Sequence, residues 1–180
     1  MFDKDVQIRG RHATYWKALA KTRGNAADTS NNFKIFENYM AVYMIAPIIG
    51  LMNERRGKID PADENKDTAG MLAEILIKNQ SKLKYIYRLI VLLDRSEGLT
   101  DKERIDRAFR ENENEAGTKA GLQLFHAYFL GGLEVLHESF VEQCTTDDDF
   151  MYRMYSFIEE FKREQGIEKT VLDIDTLLRR

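Results

Sequence analysis

The sequence of 180 residues is poor in residues that break regular structure. It contains two prolines and eleven glycines, whereas a β-sandwich or β-barrel needs a turn signal about every 8–12 residues. This scarcity argues against a turn-rich β-fold and favours a few long helices. Hydrophobic residues make up 43% of the chain, which is enough for a packed core. We therefore expect an all-α fold, a single-domain bundle of five to six helices.

Cysteine and long apolar runs are also scarce. The single cysteine, Cys144, cannot form an internal disulfide, which is typical of proteins in a reducing compartment. The N-terminus lacks the apolar core of a secretory signal. The longest uncharged apolar run, residues 40–52, is 13 residues long, whereas a membrane span needs about 18–20. These absences predict a cytoplasmic protein that has no membrane partner.

Charge is unevenly distributed along the chain. Residues 1–24 carry a net charge of +4, residues 25–100 are balanced, and residues 101–180 carry −7. We expect residues 1–24 to form a basic helical arm, residues 33–165 to form the helical bundle domain, and residues 166–180 to form a C-terminal tail segment. The asymmetry is typical of a polyanion contact at the basic end. Alternatively, it lets the two ends of the chain attract each other.

The spacing of apolar residues predicts six helices, separated by segments rich in turn and cap formers. A capping box, Thr100 with Glu103, opens the shortest of them, and Thr146 caps the last. The tail fits either a helix or a short strand. The predicted helices cover residues 4–22, 33–55, 68–94, 100–109, 118–143 and 147–165.

Four residues are unusual for their positions inside these helices. Pro47 removes a backbone donor, so we expect a bend one turn earlier. Asn79 occupies an apolar seam position of the third helix. Gly131 and Gly132 each cost about 1 kcal/mol relative to alanine in a helix interior. Either a neighbouring backbone packs closely against these glycines, which we favour, or the helix bends there.

Glu134 and His137 are the candidates for metal binding, because a Glu-x-x-His pair is half of the ligand set of a di-iron helical bundle. The second half is missing, since His126 lies about 16 Å from His137 along one helix and His12 is the remaining histidine. We therefore expect no metal and no other cofactor, and we interpret His137 as a partly buried histidine held by Glu134 or Glu138. Phosphate-loop, calcium-loop and nucleophile motifs are missing from the sequence. No catalytic residue is predicted, and a role other than catalysis is favoured.

The basic N-terminal segment is the candidate nucleic-acid interface. Its cations could contact phosphates while its aromatic residues stack on bases. The residues of this hypothesis are Arg9, Arg11, Tyr15, Trp16, Lys17, Lys21 and Arg23. The alternative is that Trp16 docks into the core or onto a partner and leaves the lysines in solvent, which the acidic net charge of the whole chain favours.

Residues 33–140 resemble a family of bacterial proteins. The order is an apolar helix at residues 36–51 closed by basic residues and a glycine, a polar loop, a long helix ending at Asp94, a capped acidic helix, and the element Tyr-Phe-Leu-Gly-Gly-Leu-Glu at residues 128–134. In this order the chain is similar to the small accessory proteins encoded beside DNA phosphorothioation (Dnd) genes and other bacterial antiphage systems. The resemblance covers about 108 of the 180 residues, and the chain continues for about forty residues after Phe140.

The resemblance implies a non-enzymatic accessory or adaptor subunit of a bacterial antiviral defence complex, which acts through protein–protein contacts. The expected partners are protein subunits of the same defence system, or a second copy of the chain. The methionine and aromatic residues Met151, Tyr152, Met154 and Tyr155 also favour such contacts. The alternative function is a nucleic-acid-binding module that uses the basic N-terminal segment. The resemblance transfers no catalytic residue.

Overall fold

Seven helices and one two-stranded sheet make up the part of the chain that the computed structural model describes. That part comprises residues 1–21, 34–96, 98–110, 115–142, 144 and 146–164. These residues are mostly helical, as predicted, although the sequence did not indicate the small sheet. The elements are β1 (Val6–Arg9), α1 (Arg11–Leu19), α2 (Tyr39–Met52), β2 (Thr68–Met71), α3 (Ala73–Lys78), α4 (Gln80–Leu93), α5 (Asp101–Phe109), α6 (Glu115–Phe140) and α7 (Asp147–Glu164).

Residues 4–21 form a strand and a short helix, and not the single helix predicted from residues 4–22. Gly10 separates β1 from α1 with a φ of +73°, a conformation that favours glycine. β1 pairs antiparallel with β2, which places Val6 opposite Met71. The partner strand is distant in sequence, so the local spacing of apolar residues does not reveal the pairing.

The N-terminal segment is part of the core and does not form a separate arm over the described residues 1–21. Trp16 and Leu19 of α1 are fully buried. The Trp16 ring stacks on Tyr39 and Tyr43 of α2, and it meets Phe129 of α6 edge-on. Removing the segment would therefore open a cavity between α2 and α6.

α2 begins at Tyr39, later than the predicted start at residue 33. Asn38 defines this start, because its side-chain oxygen accepts a hydrogen bond from the backbone N–H of Ala41 at 2.9 Å. Phe36, which precedes the helix, instead forms a parallel bridge with Ala20 at the end of α1. The segment before α2 is thus held in an extended conformation against α1.

The predicted helix at residues 68–94 is a strand followed by two helices. Thr68, the first residue of that predicted helix, begins β2, in which Ala69 and Met71 are buried. Asn79, predicted at a seam position, lies between α3 and α4, and its side-chain amide donates to the backbone oxygen of Ile75 at 2.9 Å. An asparagine that bonds its own backbone in this way competes with helix continuation.

α2 and α6 form the most extensive contact between two described elements. A methyl group added at Gly132 would overlap the backbone oxygen of Ala46, and one added at Gly131 would overlap that of Arg55. From the other side, a methyl group added at Gly50 of α2 would overlap the backbone oxygen of Tyr128. The glycines on both helices therefore allow the two backbones to approach directly.

The predicted N-terminal caps of α5 and α7 are present. Thr100 and Glu103 form the capping box of α5. Thr146 Oγ1 accepts from the backbone N–H of Asp149, whose carboxylate accepts from the backbone N–H of Thr146. The predicted tail at residues 166–180 lies outside the described residues. Crossing a membrane requires a length and an apolar character that none of the described helices combines.

Replacing Gly132 with alanine tests the close approach of α2 and α6. Glycine to alanine in a helix interior normally stabilises a protein by up to about 1 kcal/mol. Here we expect destabilisation by about 3 kcal/mol, because the added methyl group forces the backbone of α2 away. Urea unfolding followed by circular dichroism measures this change. A Gly132→Ala variant as stable as the parent chain would contradict the packing.

Candidate functional site

The loop between α2 and β2 holds the N-terminal end of α1. The Asp63 carboxylate accepts a hydrogen bond from the backbone N–H of Arg11 at 2.7 Å, so it caps the helix from outside it. Asp67 accepts from Lys17 Nζ at 2.8 Å and from Thr14 Oγ1 at 2.7 Å. The hydrogen bond from Lys17 is the main reason that the pKa of Asp67 is lowered. The hydrogen bond from the Arg11 N–H is likewise the main reason that the pKa of Asp63 is lowered. The acidic loop therefore compensates part of the positive charge of α1.

The Glu134 carboxylate joins three parts of the chain. One of its oxygens lies 2.8 Å from His12 Nε2 of α1, and the other accepts from Arg55 Nε, just after α2, at 2.9 Å. Arg11 adds a longer contact at 3.5 Å. Arg55 also donates two hydrogen bonds of 2.6 Å to Glu138, and these raise the pKa of Arg55. A nearly buried carboxylate is thus compensated by cations from both neighbouring elements.

Neither His12 nor Arg55 was predicted as a partner of Glu134. These partners lie 122 and 79 residues from Glu134 along the chain, so no local spacing reveals them. One signal was present: Glu134 is a carboxylate inside a strongly apolar stretch of α6, between Leu133 and Leu136, both of which are buried. A carboxylate in such a position requires a cation or several hydrogen-bond donors from elsewhere in the fold.

His137 has different partners from those predicted. Its ring stacks on Tyr15 of α1, with centroids 3.9 Å apart and an interplanar angle of 24°. Its Nδ1 lies 3.2 Å from a carboxylate oxygen of Glu142, whereas Glu134 or Glu138 was expected to hold it. Burial against α1 lowers the pKa of His137. The ring therefore serves as a packing surface between α1 and α6.

Glu134 and His137 are not assembled as a metal site. Glu134 is engaged by His12 and Arg55, while His137 faces Tyr15 and Glu142. Within the described ranges of the chain, no three histidine, cysteine, aspartate or glutamate side chains come together as metal ligands.

The proposed nucleic-acid residues are largely engaged within the protein. Lys17 pairs with Asp67 and Lys21 pairs with Glu37, each at 2.8 Å. Arg11 contacts Glu134, one face of the Tyr15 ring stacks on His137, and Trp16 is fully buried. Arg9 is exposed on β1, and Arg23 lies outside the described residues. The structure therefore brings most of the described side chains of this set to acidic groups or to the core.

A second buried carboxylate, Asp94, lies at the end of α4. Tyr128 of α6 donates its hydroxyl to Asp94 at 2.5 Å, and Ser96 donates to both carboxylate oxygens at 2.9 Å. Burial, together with the Asp94 charge, raises the pKa of Tyr128 to about 12. The hydroxyl therefore stays protonated and fastens α6 to the end of α4.

The fully buried Tyr43 of α2 and the partly buried His126 of α6 form a polar pair. The hydroxyl oxygen of Tyr43 lies 2.9 Å from His126 Nε2. Burial lowers the pKa of His126 and raises that of Tyr43, so both groups are neutral near pH 7. The pair satisfies two polar groups inside the core and carries no charge there.

α7 presents apolar side chains on two sides. On one side Phe150 is buried, and Phe150 and Phe157 pack against Phe140 of α6 with ring centroids 5.9 and 5.1 Å apart. The other side carries four large side chains that are 45–71% exposed, and we call these four residues the outer face of α7. They are Met151, Tyr152, Tyr155 and Ile158.

Comparisons with protein-family models, with curated proteins and with solved structures find no match to this chain.

Replacing Glu134 or Glu138 with glutamine compares the stability contribution of a nearly buried carboxylate with that of an exposed one. Glu134 and Glu138 share Arg55 as a partner, but their side chains are 12% and 45% exposed. We expect Glu134→Gln to cost about 2 kcal/mol, because it removes the charge of a nearly buried carboxylate that accepts from Arg55 and lies beside the buried His12 ring. Glu138→Gln should cost less than about 1 kcal/mol. Urea unfolding at pH 7 compares the two variants, and equal losses would contradict the proposed difference.

Acidification tests the contribution of the partly buried His126 and His137 to stability. Because burial lowers the folded-state pKa of His126 and His137, the unfolded chain binds protons first as the pH falls below about 6.5. The free energy of unfolding should therefore be constant above that pH and decrease between about pH 6.5 and 5. The carboxylates with lowered pKa titrate at lower pH. His126→Gln keeps an acceptor for Tyr43 and should reduce the slope, whereas an unchanged slope would exclude His126 as its source.

Proposed function

We propose that this chain is a non-enzymatic accessory or adaptor subunit, a single helical domain that acts through protein–protein contacts on the outer face of α7. The observation that carries the proposal is the exposure of Met151, Tyr152, Tyr155 and Ile158. The residues are spaced by one, three and three positions, so they lie on one side of the helix. Methionine and tyrosine are enriched at protein interfaces, and contiguous exposed apolar patches mark interaction sites.

The support of α7 fits this proposal. Its inner side is anchored on α6 by Phe150, and its first turn is capped by Thr146. The outer face is therefore part of a helix that is already formed, so binding of a partner does not require the folding of this segment.

The cellular setting that we propose is a bacterial antiviral defence complex in the cytoplasm. It follows from the resemblance to the accessory proteins encoded beside DNA phosphorothioation genes. The Gly131–Gly132 pair in the most specific element of that resemblance lies at the α2–α6 contact. In this proposal the Gly131–Gly132 element allows α2 and α6 to pack closely, and the outer face of α7 contacts the partner protein.

Site-specific photocrosslinking tests the contact surface. Tyr152 and Tyr85 are 71% and 69% exposed, but the residues one turn before Tyr85 on α4 are the polar Ser81 and Lys82. A photoreactive phenylalanine analogue at each position, in cells that also express the proteins encoded beside this chain, gives a matched pair. We expect discrete crosslinked products from position 152 and few from position 85. Equal crosslinking at the two positions would refute the assignment of the surface.

A further inference from the structure

We infer that the outer face of α7 binds a second copy of this chain, with the two α7 helices antiparallel and Tyr155 beside the two-fold axis. This inference rests on the proposed function, because both place the contact on the same face. It adds the identity of the partner and the register of the pairing. Three observations support it: the placement of charge, the placement of apolar groups, and the area that is available.

Charged residues are placed symmetrically about Tyr155. Asp148 lies seven residues before it and Lys162 seven residues after it, which is about 10 Å in each direction along the helix. Seven residues is close to two turns, so all three side chains lie on one side of α7. Asp148 is exposed, and Lys162, whose side chain is 48% exposed, pairs with Glu159 at 2.9 Å.

An antiparallel pair brings these opposite charges together. With Tyr155 at the axis, Asp148 of one copy faces Lys162 of the other, and the symmetry repeats this contact. A parallel pair would instead place Asp148 against Asp148 and Lys162 against Lys162, and like charges across an interface are costly. The placement of Asp148 and Lys162 therefore favours the antiparallel arrangement.

The apolar residues follow the same symmetry. Met151 lies four residues before Tyr155 and Ile158 lies three residues after it. Reversal of the second helix thus brings Met151 of one copy against Ile158 of the other, on both sides of the tyrosine pair. Tyr152 flanks this contact and is 71% exposed.

The exposed area meets the lower limit for a specific dimer. Met151, Tyr152, Tyr155 and Ile158 are 57, 71, 65 and 45% exposed. Burying them in both copies, with the flanking charged side chains, removes on the order of 1,000 Å² from solvent. Interfaces of this size are at the weak end of the specific range, so we expect association at micromolar concentrations or above.

Charge exchange on the full-length chain tests the pairing. Sedimentation equilibrium from micromolar to several hundred micromolar protein should show a monomer–dimer equilibrium. Asp148→Lys and Lys162→Asp should each weaken the dimer about tenfold or more, and the double variant should restore it. Circular dichroism checks that each variant keeps its helix content. Failure of the double variant to recover would overturn the antiparallel register.

A crosslink at the axis provides an independent test. In a Cys144→Ser background, Tyr155→Cys should give a disulfide-linked dimer on mild oxidation, because the same residue of both copies meets at the axis. Tyr85→Cys, on α4, is the matched control and should stay monomeric. A Tyr155→Cys protein that links no faster than the control would overturn the inference.

The two proposals fail in different ways. A chain that stays monomeric over the whole concentration range overturns the second copy as partner. If position 152 then crosslinks to a different protein in cells, the proposed function stands without the dimer. If position 152 crosslinks no more than position 85, the proposed function fails as well.

Discussion

The direct contact between the backbones of α2 and α6 determines most of the remaining arrangement. Gly131 and Gly132 allow the backbone of α2, and of the residues just after it, to lie against α6. Because the backbone oxygen of Arg55 is held beside Gly131, the Arg55 side chain reaches Glu134 and Glu138 on the next turns of α6. Because Gly131 and Gly132 have no side chain, Arg55 lies where its charge compensates the Glu134 carboxylate.

The same carboxylate then fixes the N-terminal segment. Glu134 holds His12, and His137 one turn later stacks on Tyr15, so α6 presents a polar and an aromatic contact to one side of α1. The apolar side of α1 inserts Trp16 between α2 and α6. Polar pairs between distant segments recur elsewhere in the core, at Tyr43 with His126 and at Tyr128 with Asp94. Each pair specifies which helices meet, because a mismatched partner would leave a polar group buried without a hydrogen bond.

Local features of the fold could be predicted from the sequence, and distant ones could not. The capping box of α5, the cap of α7 and the apolar stripe of α6 depend on residues within a few positions of each other. By contrast, a strand of four residues such as β2 has no periodicity that distinguishes it from the first turn of a helix. The apolar spacing that continues through Asn79 therefore concealed both β2 and the break between α3 and α4. The partners of Glu134 were hidden for a related reason, since their contacts exist only in the assembled fold.

The position of Trp16 has a consequence for synthesis of the chain. Its binding slot is built from Tyr39 and Tyr43 of α2 and from Phe129 of α6. During synthesis α1 is made more than a hundred residues before Phe129, so the aromatic environment of Trp16 stays incomplete throughout that interval. The core can close only when α6 has been made, which makes formation of the α1 contacts a late, long-range event and not a local one.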